Sequence, residues 1–217
     1  MNNNLDPLAV PSIKAVEHSD ELIAIMEEQG VRRTIDSLVF PEWTYHPLTT
    51  VSLAHDDGHL YADFFVRCNY LRAINYETNS PVFEDSSVII CLKPRPDEEE
   101  YYYFEVNCIG TVAGCIRRPG EPKELIPADK LALIKRTPSC GSRPFRELEG
   151  LFAWNILVEI PLSLIGVAAE SFPLEVKGNF YKCASGTSQP HFLSWIPVDG
   201  SWVENPSDKD MGIIILE

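Results

Sequence analysis

DEEEYYYFEVNCIGT, Asp97–Thr111, sets four acids against three tyrosines and then runs into a short alternating stretch. Successive side chains of a strand point to opposite faces. If Tyr101–Asn107 is a strand, Tyr102, Phe104 and Val106 share one face, which reads as core. Tyr103, Glu105 and Asn107 share the other, placing a ring, a carboxylate and an amide side by side. That second face has three readings: ordinary solvent exposure, a structural hydrogen-bond network, or a surface lined for a ligand. The acids ahead of it read as the solvated tip of a hairpin.

Working outward, the chain repeats this type of segment. Further strands are expected over Thr34–Val39, Thr50–Asp56, Leu60–Val66, Val88–Leu92, Phe152–Glu159, Phe180–Cys183 and Met211–Glu217. They are short, rich in β-branched or aromatic residues, and separated by Gly, Pro, Asp or Asn clusters. HDDGH at His55–His59 suits a hairpin connection. Seventeen prolines argue against a helical bundle, and Pro119–Pro127 and Pro138–Pro144 read as long excursions. A helix is expected over Ser19–Gln29, with Ser19 as N-cap, Gly30 at its end and Leu22, Ile25 and Met26 forming an apolar stripe that packs on a sheet. Strands without interleaved helices indicate an all-β fold: an antiparallel two-sheet β-sandwich, jelly-roll-like, with a short N-terminal helix. The 217 residues read as a single domain, with 1–33 as a helical extension packed on it.

Composition narrows the function. The net charge is −14, from 32 acids against 18 bases, and the basic doublets Arg117-Arg118 and Lys135-Arg136 are too small for a nucleic-acid face. The same charge disfavours anionic membranes, and no apolar run is long enough to span one. MNNNLDPLAVPSIKAV lacks the basic and apolar regions of a signal peptide. The six cysteines form no CxxC pair, which argues against zinc; Cys91, Cys108 and Cys183 read as buried free thiols, and one disulfide among the rest is left open.

Four runs carry a family resemblance: EWTYHPLTTVSLAHDDGHLYADFFVRCNYLRA (Glu42–Ala73), NSPVFEDSSVIICL (Asn79–Leu92), YYYFEVNCIGTV (Tyr101–Val112) and NFYKCASGTSQPHFLSWIPV (Asn179–Val198). The chain resembles the carbohydrate-binding family 9-like domain of Bacteroides-type proteins, similar in plan to the xylanase-associated family 9 modules. The resemblance implies a sandwich that binds an oligosaccharide or polysaccharide, without a known catalytic centre; it implies an extracytoplasmic setting if a leader was removed, and the chain otherwise reads as cytoplasmic. It implies two aromatic walls that sandwich a terminal sugar ring, matched here by Phe83 and Trp202. It places polar contacts at Glu105 and Lys182, and Asn107 and Tyr103 join them by strand parity. Ile89 stands where the family carries a carboxylate, and the last loop reads NPSDKDMGI where relatives have His and Phe. The chemistry fits: flat rings cover the C–H face of a pyranose, and Asn, Glu and Lys satisfy its hydroxyl rim.

The alternatives are weighed on residues. Glycoside hydrolysis needs two positioned carboxylates. Glu84 and Asp85 are neighbours that would point apart on a strand, and no GxSxG elbow, P-loop or dinucleotide fingerprint is present. Haem or another cofactor would want opposed His or Met, which the five His and three Met do not offer. A structural or interaction sandwich with a degenerate sugar site is the second reading. No cofactor is expected; structural calcium is the one metal considered, at His55–Gly58 and Asp208–Asp210, neither of which has a full ligand pattern.

Overall fold

The computed structural model describes residues 6–16, 18–168, 172–198 and 207–217. The strands are β1 (Leu8–Val10), β2 (Val31–Thr34), β3 (Ser37–Leu38), β4 (Leu48–His55), β5 (His59–Ala73), β6 (Ser87–Lys93), β7 (Tyr101–Asn107) and β8 (Val112–Arg117). They continue with β9 (Glu124–Leu125), β10 (Lys135–Pro138), β11 (Phe145–Pro161), β12 (Leu174–Cys183), β13 (Phe192–Ser194) and β14 (Gly212–Leu216). The helices are α1 (Ser19–Gln29) and the single turn α2 (Ala128–Leu131).

These strands form two sheets. A nine-stranded sheet has the path β1-β14-β12-β6-β7-β8-β9, with β13 and β3 attached beside β12; a five-stranded sheet runs β10-β11-β5-β4-β2. All ladders are antiparallel except β1 on β14, a parallel edge pair the sequence pattern did not show. The main core lies between the sheets and joins Phe104 and Val106 of β7 and Phe180 of β12 to Phe64 of β5 and Trp154 of β11. Phe64 and Phe180 meet edge-on across it, with centroids 6.4 Å apart.

The outer faces differ. On the five-stranded sheet, Leu22 and Met26 of α1 are buried against Ala54, Tyr61 and Leu157, so the apolar stripe of the helix lies where the pattern predicts. Ser19 is the first helical residue rather than the cap; His18 holds the cap position without a side-chain hydrogen bond. On the nine-stranded sheet, Ile89, Cys91, Tyr103, Cys115 and Tyr181 form a second apolar cluster, covered in part by Phe40, Trp43 and Phe192.

Several strands run longer than expected. β5 and β11 pair from Pro161↔His59 to Phe145↔Ala73, with register shifts on the β11 side that carry the ladder past polar positions. The acids before β7 are not merely solvated: Arg95 pairs with Glu98 at 2.6 Å and Glu100 at 3.0 Å, and Arg118 reaches Glu100 at 2.6 Å. The three tyrosines then divide. Tyr101 donates its hydroxyl to Asp208 at 3.0 Å, Tyr102 enters the inter-sheet core, and Tyr103 sits on the outer face.

Candidate functional site

A cleft of about 520 Å³ opens on the outer face of the nine-stranded sheet. Strand parity builds its floor. Tyr103 and Glu105 of β7 lie beside Cys115 and Ala113 of β8 in register, and Arg117 follows one step along the same face. Ile89 pairs with Glu105 from the other side and is fully buried, so the floor is apolar there. The Arg117 guanidinium lies over the Tyr103 ring, 5.0 Å from its centroid, a cation–π contact that holds both side chains in place.

Two loops supply the rims. The turn Val82–Glu84 brings Phe83, a residue 42% exposed, to the cleft. Its backbone is pinned: the Phe83 carbonyl accepts hydrogen bonds from Ser185 N at 3.1 Å and from the Cys183 thiol at 3.2 Å. Arg72 braces the same turn, donating to the Glu84 carbonyl and lying 3.6 Å from Asp85. Phe40 and Trp43 line the cleft from the segment after β3, with centroids 5.0 Å apart in an edge-on pair, and Phe40 meets Phe192 at 6.0 Å. Asn79, with φ of 64°, fixes the approach to Phe83 by accepting from Gly114 N at 3.0 Å and donating to the Ile126 carbonyl at 3.0 Å.

Electrostatically the cleft is centred on one carboxyl. Burial pushes Glu105 up to about 7, while Lys123, Arg117 and a backbone hydrogen bond at Phe83 act in the opposite direction. Tyr103 is held well above its ordinary value, first by burial and then by the neighbouring Glu105. The arrangement offers exposed rings for an apolar face and, at its base, a carboxyl whose ionised form gains from hydroxyl donors.

The expected site residues do not all meet here. Phe83, Tyr103 and Glu105 line the cleft together. Trp202 lies outside the described residues. Asn107 shares the β7 face but is buried and belongs to a structural network. Its amide donates to Asp85 Oδ2 at 3.0 Å and to the Asn75 carbonyl at 2.8 Å, and its oxygen accepts from Thr111 N at 2.9 Å. Lys182 points the other way. It alternates with Tyr181 and Cys183, so it shares the inter-sheet side with Phe180. There its Nζ donates to the Cys183 carbonyl at 2.7 Å and lies 5.9 Å from the Trp154 ring centroid. Burial lowers Lys182 to about 8. It therefore pairs neither with Glu105 nor with anything bound in the cleft.

Phe40, Trp43, Arg117 and Lys123 line the cleft without having been singled out. Trp43 stands in one of the quoted runs, but its loop crosses the sheet by a path no local pattern encodes. Arg117 was hidden because VAGCIR was not read as a strand. Among the described residues, no group of three His, Cys, Asp or Glu is placed to hold a metal ion. The two loops considered for calcium have carboxylates engaged by protein donors: Asp56 by Gly58 N, His59 N and Tyr61, and Asp208 by Lys93, Lys177 and Tyr101.

The fold is a two-sheet β-sandwich with an open cleft on the outer face of its larger sheet. Residues 19–209 match Carbohydrate-binding family 9, and the chain belongs to that family: it is a carbohydrate-binding module. It is similar to a candidate carbohydrate-binding protein from Bacteroides uniformis, at 25% identity over 97% of this chain and 99% of the other, with a TM-score of 0.87. It also shares its fold with a family 9 module from Caldicellulosiruptor kristjanssonii, solved with cellotriose and with glucose. Identity there is 16% and the TM-score 0.62, over 98% of this chain and 94% and 96% of the two structures. No curated protein matches the chain significantly.

Proposed function

We propose that the cleft floored by Tyr103, Glu105 and Arg117 and edged by Phe83 and the Phe40–Trp43 pair takes the end of an oligosaccharide and holds it without reacting. The observation that carries the reading is the pinned, part-exposed Phe83 side chain beside the half-buried Glu105 carboxyl in one cleft. Rings of this kind cover the C–H face of a sugar, and Glu105 and Arg117 are acceptor and donor for its hydroxyls. A β-linked gluco-oligosaccharide is the ligand class suggested by the Caldicellulosiruptor module, whose structure holds cellotriose.

A holding rather than a cleaving role is supported by the acid inventory. Among the described residues lining the cleft, Glu105 is the one carboxylate, and glycoside hydrolysis takes a pair flanking the bond. The test is calorimetric titration with cellotriose, xylotriose and mannotriose. Phe83→Ala and Trp43→Ala are each expected to weaken binding about threefold to tenfold, the range of an aromatic contact beyond its area. Product analysis after prolonged incubation should recover the oligosaccharide intact. Unchanged affinity in both variants would place the sugar elsewhere, and shortened products would make the chain an enzyme.

A further inference from the structure

The cleft reverses the charge balance of the chain that forms it. The chain has 32 acids against 18 bases. Among the described residues lining the cleft, two are cations, Arg117 and Lys123, against the one carboxyl of Glu105. Register puts the cations there. Cys115 of β8 pairs with Leu125 of β9, and Ile116 with Glu124, so one step further along Arg117 and Lys123 come opposite each other on the outer face. Lys123 and Leu125 accordingly line the cleft, whereas Glu124 and Ile126 share a hollow with Tyr102 and Ile116.

Like charges set opposite each other across a ladder are destabilising. The acids that flank Lys123 in sequence do not relieve it. Glu124 lies 2.8 Å and Glu121 3.9 Å from Arg118 Nη1, and Glu100 lies 2.6 Å from Arg118 Nη2. Lys123 is exposed and forms no ion pair with a described residue. Glu105 does not cancel it either. Burial outweighs both cations and holds that carboxyl up to about 7, so at pH 6 it is mostly protonated and offers a donor in place of a charge.

We propose that the cleft prefers a sugar end whose ring carries a carboxylate, a hexuronic acid, held by Lys123 with Arg117 beside it. This rests on the reading that the cleft takes the end of an oligosaccharide, and it names the class of ring. A carboxylate in place of the hydroxymethyl group at C6 adds only one oxygen to the outline of a pyranose, so a ring lying on Phe83 keeps its seat. What changes is charge. Lys123 brings three donors on a flexible stem, and Arg117 brings a guanidinium already placed by the Tyr103 ring. Bonds from an ammonium to a carboxylate are about twice as strong as those to a neutral hydroxyl. The same carboxylate also offsets the two like charges that the ladder sets side by side.

The experiment titrates the chain calorimetrically at pH 6 with cellobiose, with its two forms carrying a carboxylate at C6 of one ring or the other, and with the matching 6-sulfate esters. At low salt, one of the two carboxylates should bind about fivefold tighter than cellobiose. That preference should shrink below about twofold in ~0.5 M salt, because the charge of exposed Lys123 is screened. Lys123→Gln, a change at the surface that leaves the core untouched, should bring the ratio of acid to neutral affinity close to one. Phe83→Ala should weaken acid and neutral sugar alike and leave their ratio in place. Equal affinity for carboxylate and cellobiose would overturn the proposal and leave the sugar-binding cleft standing. A preference that survives Lys123→Gln, or a sulfate ester held tighter than the carboxylate, would also overturn it. Binding of none of these sugars would remove the sugar-binding reading and the proposal together.

Discussion

Replacing Glu105 by Gln should leave stability nearly unchanged at pH 4 and raise it at pH 8. The carboxyl faces Tyr103, Arg117, Lys123 and Cys115 in the cleft, and burial outweighs the two cations, holding it near 7 against an ordinary glutamate value of 4.5. The unfolded chain ionises through 4.5, whereas the folded chain does so only through about 7. Between those values the unfolded state carries the extra charge, so stability falls as pH rises and the loss is complete above 7. Each pH unit of that window is worth about 1.4 kcal/mol, which sums to ~3 kcal/mol. Because Glu105 keeps a partial opening to solvent, screening makes this an upper value. Gln keeps the shape without the charge. Urea titrations of the ligand-free chain and of Glu105→Gln at pH 4, 6 and 8 would read the difference, with the midpoints diverging by about 1–2 M at pH 8 for an ordinary urea slope. Parallel curves for the two proteins across that range would refute the buried-carboxyl account.

Asp63 lies on the outer face of the five-stranded sheet, where burial and Glu27 raise it to about 7; Asp63→Asn should likewise stabilise above pH 7 and not below pH 4, read by the same titrations. Lys182→Met exchanges a buried cation for an apolar chain of similar length, and chemical denaturation at pH 7 should show equal stability or a gain of about 1–3 kcal/mol. Calorimetry on that variant should find cellotriose affinity unaltered, because the side chain faces away from the cleft. Asn107→Ala leaves Asp85 and the turn amide of Thr111 short of a partner, and denaturation should register a loss of about 2–4 kcal/mol.

Alternation was the most readable feature of the chain. The split of Tyr102, Phe104 and Val106 from Tyr103 and Glu105 follows from the pleat alone, and the stripe of Leu22 and Met26 from the helical repeat. Parity also carried the information about Lys182: two residues from Phe180, it had to share the core side. A buried lysine contradicts ordinary residue preference, so its residue type misdirected the reading. Asn107 shows the opposite limit. Its face was right, but its partners Asp85 and Asn75 come from a segment more than twenty residues away, and no local pattern announces such a network. Phe40 and Trp43 reach the cleft through a loop whose course depends on Phe192, 149 or more positions downstream, and only the fold reveals it.

The borders of the two sheets share a trait with a consequence for how the molecule meets others. β1 is three residues long between Pro7 and Pro11, and β9 is two residues long between Pro122 and Pro127. On the other sheet, β2 carries Arg32 and Arg33, and β10 carries Lys135 and Arg136 and ends at Pro138. Short, proline-flanked or cationic borders offer poor templates for a foreign strand. Strand addition at these borders is therefore disfavoured, which leaves the faces of the sheets rather than their rims as the places for contact.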